Sequence, residues 1–158
     1  MPCVRSQHSR EGGLFMNSTR DVSRGQGQPA MNPLAAFHLR AAAVYAVIGM
    51  VAGITMSATH QFEYGPAHAH LNLLGFVAAA LYGLLLKDRA DLAATRLARL
   101  HAGLAHAGMV VMIAGLVILF SGNPGLGEPL AKIGSAAVVL GAVLFVALVF
   151  RATARRAA

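Results

Sequence analysis

The sequence predicts an all-α integral membrane protein folded as a four-helix bundle. Apolar residues make up 56% of the 158-residue chain, charged residues only 12%, and the mean hydropathy is +0.60. Soluble domains are roughly 45–50% apolar and about 25% charged. The apolar residues fall into four continuous runs of about 20 residues, the length that a helix needs to cross a bilayer. Strands of a membrane β-barrel would instead alternate apolar and polar residues.

The four predicted helices belong to one membrane domain, residues 33–153. Pro66 suits the first turn of the second helix. Asn123-Pro124-Gly125, followed by Glu128-Pro129, should separate the third helix from the fourth. We expect the helices at about residues 36–59, 66–87, 99–120 and 130–151.

The two ends of the chain are polar. Residues 1–32 are rich in Ser, Gly, Gln and Arg and contain no apolar stretch that could form the core of a signal peptide. We predict a disordered basic tail there, and an overextended start codon is a second interpretation. Residues 154–158 form a short basic tail.

Basic residues predict the orientation of the bundle. They precede the first helix, lie between the second and third, and follow the fourth, whereas the other two connections are poor in Lys and Arg. Because Lys and Arg near helix ends stay on the cytoplasmic side, both termini should be cytoplasmic, and in a bacterium the chain would be a multi-pass protein of the inner membrane. We therefore attribute the net charge of +7 to topology and lipid contact, and expect no nucleic-acid partner. Cys3 is the single cysteine, which excludes an intrachain disulfide.

Polar side chains open the second helix, in the stretch Pro66-Ala67-His68-Ala69-His70-Leu71-Asn72-Leu73-Leu74-Gly75. Polar groups at the mouth of an apolar run are energetically expensive and often mark a site. His68 and Asn72 share a helix face, whereas His70 points about 200° away from His68, which predicts different roles for the two imidazoles. The small residues Gly49 and Gly53 of the first helix should let backbones approach closely.

The other histidines differ in predicted depth. His60 ends the first helix near His68 and His70, on the outer side. His106 lies inside the third helix, where an imidazole needs a partner or a ligand. His38 and His101 lie near cytoplasmic helix ends, where we expect them in the headgroup region.

These motifs resemble those of a known family. Three stretches carry the resemblance: Thr59-His60-Gln61-Phe62, residues 66–75 and Ala80-Leu81-Tyr82-Gly83. They resemble a family of small bacterial membrane proteins related to subunit I of heme-copper oxidases, which are described as cbb3-type cytochrome c oxidase subunit I-like. Leu104-Ala105-His106-Ala107-Gly108 resembles the family's second histidine-bearing segment. The resemblance implies a four-helix oxidase-like module that holds a heme, of b type, in respiration or electron transfer. The chain is far shorter than an oxidase subunit I, so we do not expect it to reduce oxygen alone.

Three hypotheses follow for the site and partners. In the first, His70 and His106 are the leading heme ligands, with His68 and Asn72 beside them. Their depths differ by several turns, so tilted helices or a symmetric homodimer would have to bring the ligands together. In the second, His60, His68 and His70 bind copper or zinc on the periplasmic side. In the third, the chain is a non-catalytic module that packs against other respiratory membrane subunits or helps their assembly.

Overall fold

The structure, a computed structural model, describes residues 31–154, and the predicted tails at residues 1–30 and 155–158 lie outside this range. The described residues are all-helical, without a strand. Four helices are long and apolar enough to cross a membrane, which confirms the predicted fold class at this level. We call them the first to fourth helices; they span Pro33–Thr59, Phe62–Lys87, Arg96–Phe120 and Pro124–Ala154.

Both ends of the bundle can be identified from the connections. The proximal end holds the start of the first helix, the short helix Ala90–Ala93 between the second and third helices, and the end of the fourth. The distal end holds the connections 60–61 and 121–123. We call the first and second helices the first hairpin, and the third and fourth helices the second hairpin.

The first helix begins at Pro33, three residues before the expected start. Asn32 is the reason, because its side chain caps the helix by accepting a hydrogen bond from Ala35 N (2.9 Å). The same amide donates to the carbonyl of Leu86 at 2.6 Å. Asn32, expected to belong to the tail, thus ties the start of the first helix to the end of the second.

Replacing Asn32 tests this cap. We expect Asn32→Ala to lower the free energy of unfolding by about 1–2 kcal/mol, because both the cap and the bond to the Leu86 carbonyl disappear. Asn32→Asp should lose less, since its carboxylate still accepts from Ala35 N. Thermal unfolding in detergent measures both, and equal losses would contradict the double role of the amide.

The second helix is irregular. A 3₁₀ turn at Phe62–Tyr64 leads into an α-helical segment at Gly65–His70, in which Pro66 lies in the first turn as expected. A π-helical segment, Leu71–Ala78, follows before the α-helix resumes at Ala79–Lys87. Such π segments are rare and often lie at functional sites.

The second hairpin packs through glycines. A Cβ atom added at Gly115 would overlap the backbone of Ala131, and one added at Gly134 would overlap the backbone of Met112. Gly127 lies equally close to the backbone of Leu119. Small residues let helices approach in this way in membranes, where close packing replaces the hydrophobic effect.

The fourth helix begins at Pro124, six residues before the expected position. Pro129, which we expected to separate the helices, lies inside it. Because the ring removes only the one backbone hydrogen bond that would reach the carbonyl of Gly125, the helix continues through it. Proline at the first position, Pro124, starts the helix in the usual way.

Contacts at the proximal end join the two hairpins. Ala35, Leu86, Leu92 and Ala152 belong to one buried apolar cluster. Arg89 donates from Nη1 to the carbonyl of Ala152 at 2.8 Å. The positions of the first and fourth helices are therefore linked at this end.

Candidate functional site

Three histidines meet between the two hairpins. His38 comes from the first helix, and His101 and His106 come from the third. The ring centroid of His38 lies 5.8 Å from that of His101 and 5.0 Å from that of His106. We call these three residues the histidine cluster.

Burial in the cluster corrects one expectation from the sequence. His38 and His101 are both 0% exposed, so the expectation that they face the headgroup region was wrong. Their helices extend beyond them to Pro33 and Arg96, which places both rings inside the bundle. His106 is half-buried, and its Nε2 lies 2.8 Å from Nδ1 of His38. The partner that we expected for His106 is thus another histidine.

His101 has a tautomer that its hydrogen bond determines. Its Nδ1 lies 2.9 Å from the carbonyl oxygen of Gly141. A carbonyl only accepts, so Nδ1 carries the hydrogen, and Nε2 of the neutral ring presents a lone pair. This Nε2 is buried and has no hydrogen-bond partner among residues 31–154. A buried lone pair without a partner is unfavourable unless something binds to it.

His38 has the same arrangement. Its Nδ1 is bonded to His106, and its Nε2 is buried without a hydrogen-bond partner in the described part of the chain. Nδ1 of His106 in turn lies 3.3 Å from the hydroxyl of Tyr45. If the His38 Nδ1–H donates to His106, and His106 donates to the Tyr45 oxygen, Nε2 of His38 also presents a lone pair.

This pattern is typical of metal-binding histidines. Such a histidine usually donates its second ring N–H to a carbonyl or another acceptor, which fixes the tautomer and turns the free nitrogen toward the metal. In the cluster, the carbonyl of Gly141 does this for His101, and in the tautomer just described Nε2 of His106 does it for His38. The cluster thus offers two imidazole donors, one from each hairpin.

Aromatic rings surround these donors. The ring of Tyr82 lies 4.4 Å from that of His101, edge to face, and Phe145 stacks on His101 at 5.5 Å. Phe37 packs its edge against His106 at 4.8 Å. The two Nε2 atoms therefore lie in apolar surroundings.

The histidines predicted at the distal end are arranged differently. His70 is exposed, and its Nδ1 bonds to the carbonyl of Pro66, one turn earlier, at 2.7 Å. His68 is half-buried on another face, which confirms that the two rings point in different directions. His60 ends the first helix, exposed and in a left-handed backbone conformation with φ of 54°.

His70 and His106 lie at different levels of the bundle. His68 faces Gly53, whereas His106 bonds to Tyr45, eight residues earlier on the first helix. Eight residues correspond to a rise of about 12 Å. Within one protomer, His106 is thus placed with His38 rather than with the histidines of the second helix.

Gly49 and Gly53 serve a purpose that we did not expect. A Cβ atom on Gly49 would lie 2.5 Å from Oδ1 of Asn72, and one on Gly53 would lie 2.9 Å from Cε1 of His68. These glycines make room for two polar side chains. Asn72 also donates from Nδ2 to the carbonyl of His68 at 2.8 Å, so the two polar residues form one unit.

Sequence analysis therefore missed His38 and His101 as candidate ligands. One signal in the sequence pointed to this cluster. His38 and Tyr45 are seven residues apart and therefore share a face of the first helix, and His101 and Gly108 share a face of the third helix in the same way. Within residues 31–154, there is no group of three or more His, Cys, Asp or Glu side chains that could hold a metal ion. A centre at the cluster would accordingly use two protein ligands.

The chain was compared with protein-family models, curated proteins and solved structures, and no match was found in any of the three. The geometry of the histidine cluster is therefore the main guide to function.

Proposed function

We propose that this multi-pass membrane protein holds a metal centre between its two hairpins, with His38 and His101 as ligands through Nε2. The observation that carries the proposal is the pair of buried Nε2 atoms for which the structure, over residues 31–154, shows no hydrogen-bond partner. Both rings are fixed from the other side through Nδ1. The centre would serve electron transfer in a respiratory context, as the resemblance to heme-copper oxidase subunit I implies.

The number of donors favours heme iron among the candidate metals. Heme iron receives four ligands from the porphyrin and needs one or two from the protein. Zinc usually takes three or four protein ligands, more than the cluster offers. Tyr82, Phe145 and Phe37 make the surroundings of the cluster apolar, and their rings, now packed against the histidines, would have to separate from them to admit a porphyrin. The heme would be held noncovalently, as a b-type heme is, because covalent c-type attachment needs a Cys-x-x-Cys-His motif and Cys3 is the single cysteine of the sequence.

The protein residues would have separate roles at this centre. His38 and His101 would bind the iron, and Gly141 would orient His101. His106, which we first considered a ligand, would instead orient His38, with Tyr45 orienting His106. The bound heme would supply one-electron chemistry, and burial by both hairpins would exclude water from it.

An optical spectrum with metal analysis tests the proposal. The full chain is expressed with sufficient heme and purified in mild detergent. We expect reduced-minus-oxidised heme bands and about one iron per chain. If the protein contains copper and no iron, and shows no heme bands, the centre is a copper site with imidazole ligands instead of a heme. Purified protein without any bound metal would overturn the proposal and leave the non-catalytic module, packed against other membrane subunits.

His106 gives a finer test of the roles. We expect His106→Phe to lower heme affinity by roughly 10–100-fold without abolishing it, because loss of an orienting partner weakens a ligand that remains. Heme titration of the apoprotein measures the affinity. Complete loss of binding would instead indicate that His106 is itself a ligand, as the sequence suggested.

We further infer that both termini face the cytoplasm of a bacterial inner membrane. The support is the concentration of Lys and Arg in the tails and between the second and third helices. A fluorescent protein that folds only in the cytoplasm, fused after Ala158, should be bright. If a fusion in the 121–123 connection is bright and the C-terminal fusion is dark, the orientation is the opposite of the one inferred here.

A further inference from the structure

A second candidate site lies near the distal end, apart from the histidine cluster. A cavity of about 370 Å³ lies between the first, second and third helices. This volume is within the range of about 300–1,000 Å³ that is usual for small-molecule sites. Its wall is mostly apolar, and its side chains that carry polar groups are those of Thr55, Gln61, Tyr64 and His68.

His68 is held loosely in this cavity by the protein itself. Its ring nitrogens lie 3.4 and 3.5 Å from Nδ2 of Asn72, at the limit of hydrogen-bond distance. Asn72 makes its short bond, 2.8 Å, to the backbone carbonyl of His68 instead. The imidazole is therefore available to a ligand, and the missing side chain at Gly53 gives it room.

The polar groups define the chemistry of that ligand. None of the residues that line the cavity is Asp, Glu, Lys or Arg, so a charged headgroup would find no counterion in the wall. A plain acyl chain would leave the imidazole without a partner, whereas the Gln61 amide is exposed and its Oε1 already accepts from the hydroxyl of Thr59 at 3.3 Å. The fitting ligand is neutral, carries more than one oxygen on a compact head, and has an apolar tail.

We propose that this cavity binds the ring of a membrane quinone or quinol. The ring oxygens would bond to the imidazole of His68, to the amide nitrogen of Gln61 and to the hydroxyl of Tyr64, which also lies 3.1 Å from Oγ of Ser121. The ring would pack between Met56 and Leu71. The chain of the quinone would leave toward the bilayer. This inference goes beyond the proposed metal centre, because it depends on different residues.

Saturation binding of decylubiquinone to the full chain in lipid nanodiscs tests this proposal, with empty nanodiscs subtracted. Ala52→Phe fills the cavity, and His68→Phe removes the imidazole while keeping an aromatic ring. We expect each to weaken binding about tenfold or more, the effect of a lost hydrogen bond or contact surface. His70→Phe, exposed and two residues from His68, is the matched control and should bind within about twofold of the wild type.

Decanol separates the ring from its chain as the recognised part. We expect a tenfold excess of decanol to leave decylubiquinone bound. Displacement by decanol, binding no greater than in empty nanodiscs, or unchanged binding in Ala52→Phe would each overturn the proposal. The heme spectrum of the same samples reports separately on the metal centre, so the two proposals can fail independently.

Discussion

His101→Phe is expected to abolish binding of heme, with at least a tenfold drop in heme per chain. The substitution keeps an aromatic ring in contact with Tyr82 and Phe145 but removes the nitrogen that faces the interior. His38→Phe should have the same effect, because each residue supplies one of only two donors. Heme content by absorbance, normalised to protein, measures the loss.

Two controls accompany this prediction. His70→Phe and His60→Phe alter exposed histidines at the distal end and should retain the heme content of the wild type. Size-exclusion chromatography shows whether each variant still folds. Loss of heme in His70→Phe, with full retention in a folded His101→Phe protein, would restore the ligand assignment suggested by the sequence.

Gly134→Leu is expected to prevent the second hairpin from forming. A side chain at this position would overlap the backbone of Met112, and backbone cannot move aside without separating the helices. We expect destabilisation of upwards of about 3 kcal/mol, beyond the usual range for overpacking, because helix backbones rather than side chains collide. Gly115→Leu should destabilise the protein to a similar extent, because a side chain at Gly115 would overlap the backbone of Ala131 equally closely.

Gly103→Leu is the matched control within the second hairpin, on the same helix as Gly115. Gly103 is exposed, and a Cβ atom there would meet nothing within 4 Å. Thermal unfolding and yield after size-exclusion chromatography compare the variants. Equal stability of the Gly134→Leu and Gly103→Leu proteins would contradict the close helix contact.

The fold could be predicted largely from local sequence. Continuous apolar runs determine membrane helices because backbone groups in a bilayer must be satisfied within the segment. Helix ends were less predictable: Asn32 and Pro124 extend two helices beyond their apolar cores, through capping and a proline start. The features that predicted the helices did not predict the π-helical segment at Leu71–Ala78.

The candidate site was harder to predict because it depends on packing between hairpins. His106 was correctly expected to need a partner, but which side chain meets it depends on how the third helix lies against the first. His38 and His101 lie near helix ends in sequence, which favoured an interfacial location. The extended helices and the aromatic rings around them place both histidines inside the bundle instead.

The resemblance to heme-copper oxidase subunit I stays a prediction, as does the ligand role first given to His70. Both concern the HAHLNLLG stretch, residues 68–75. The structure places two polar side chains of this stretch, Asn72 and His68, beside Gly49 and Gly53. This stretch thus has a clear structural use whatever the cofactor.

X-ray absorption at the K edge of the bound metal tests the central claim most directly, because it counts imidazole ligands. For the wild-type protein we predict two imidazole nitrogens bound to the metal. The His101→Phe protein should lose most of its metal, and the metal that remains should have at most one imidazole ligand. A wild-type protein whose metal carries no imidazole, or whose metal content equals that of the His38→Phe/His101→Phe double variant, would contradict the account.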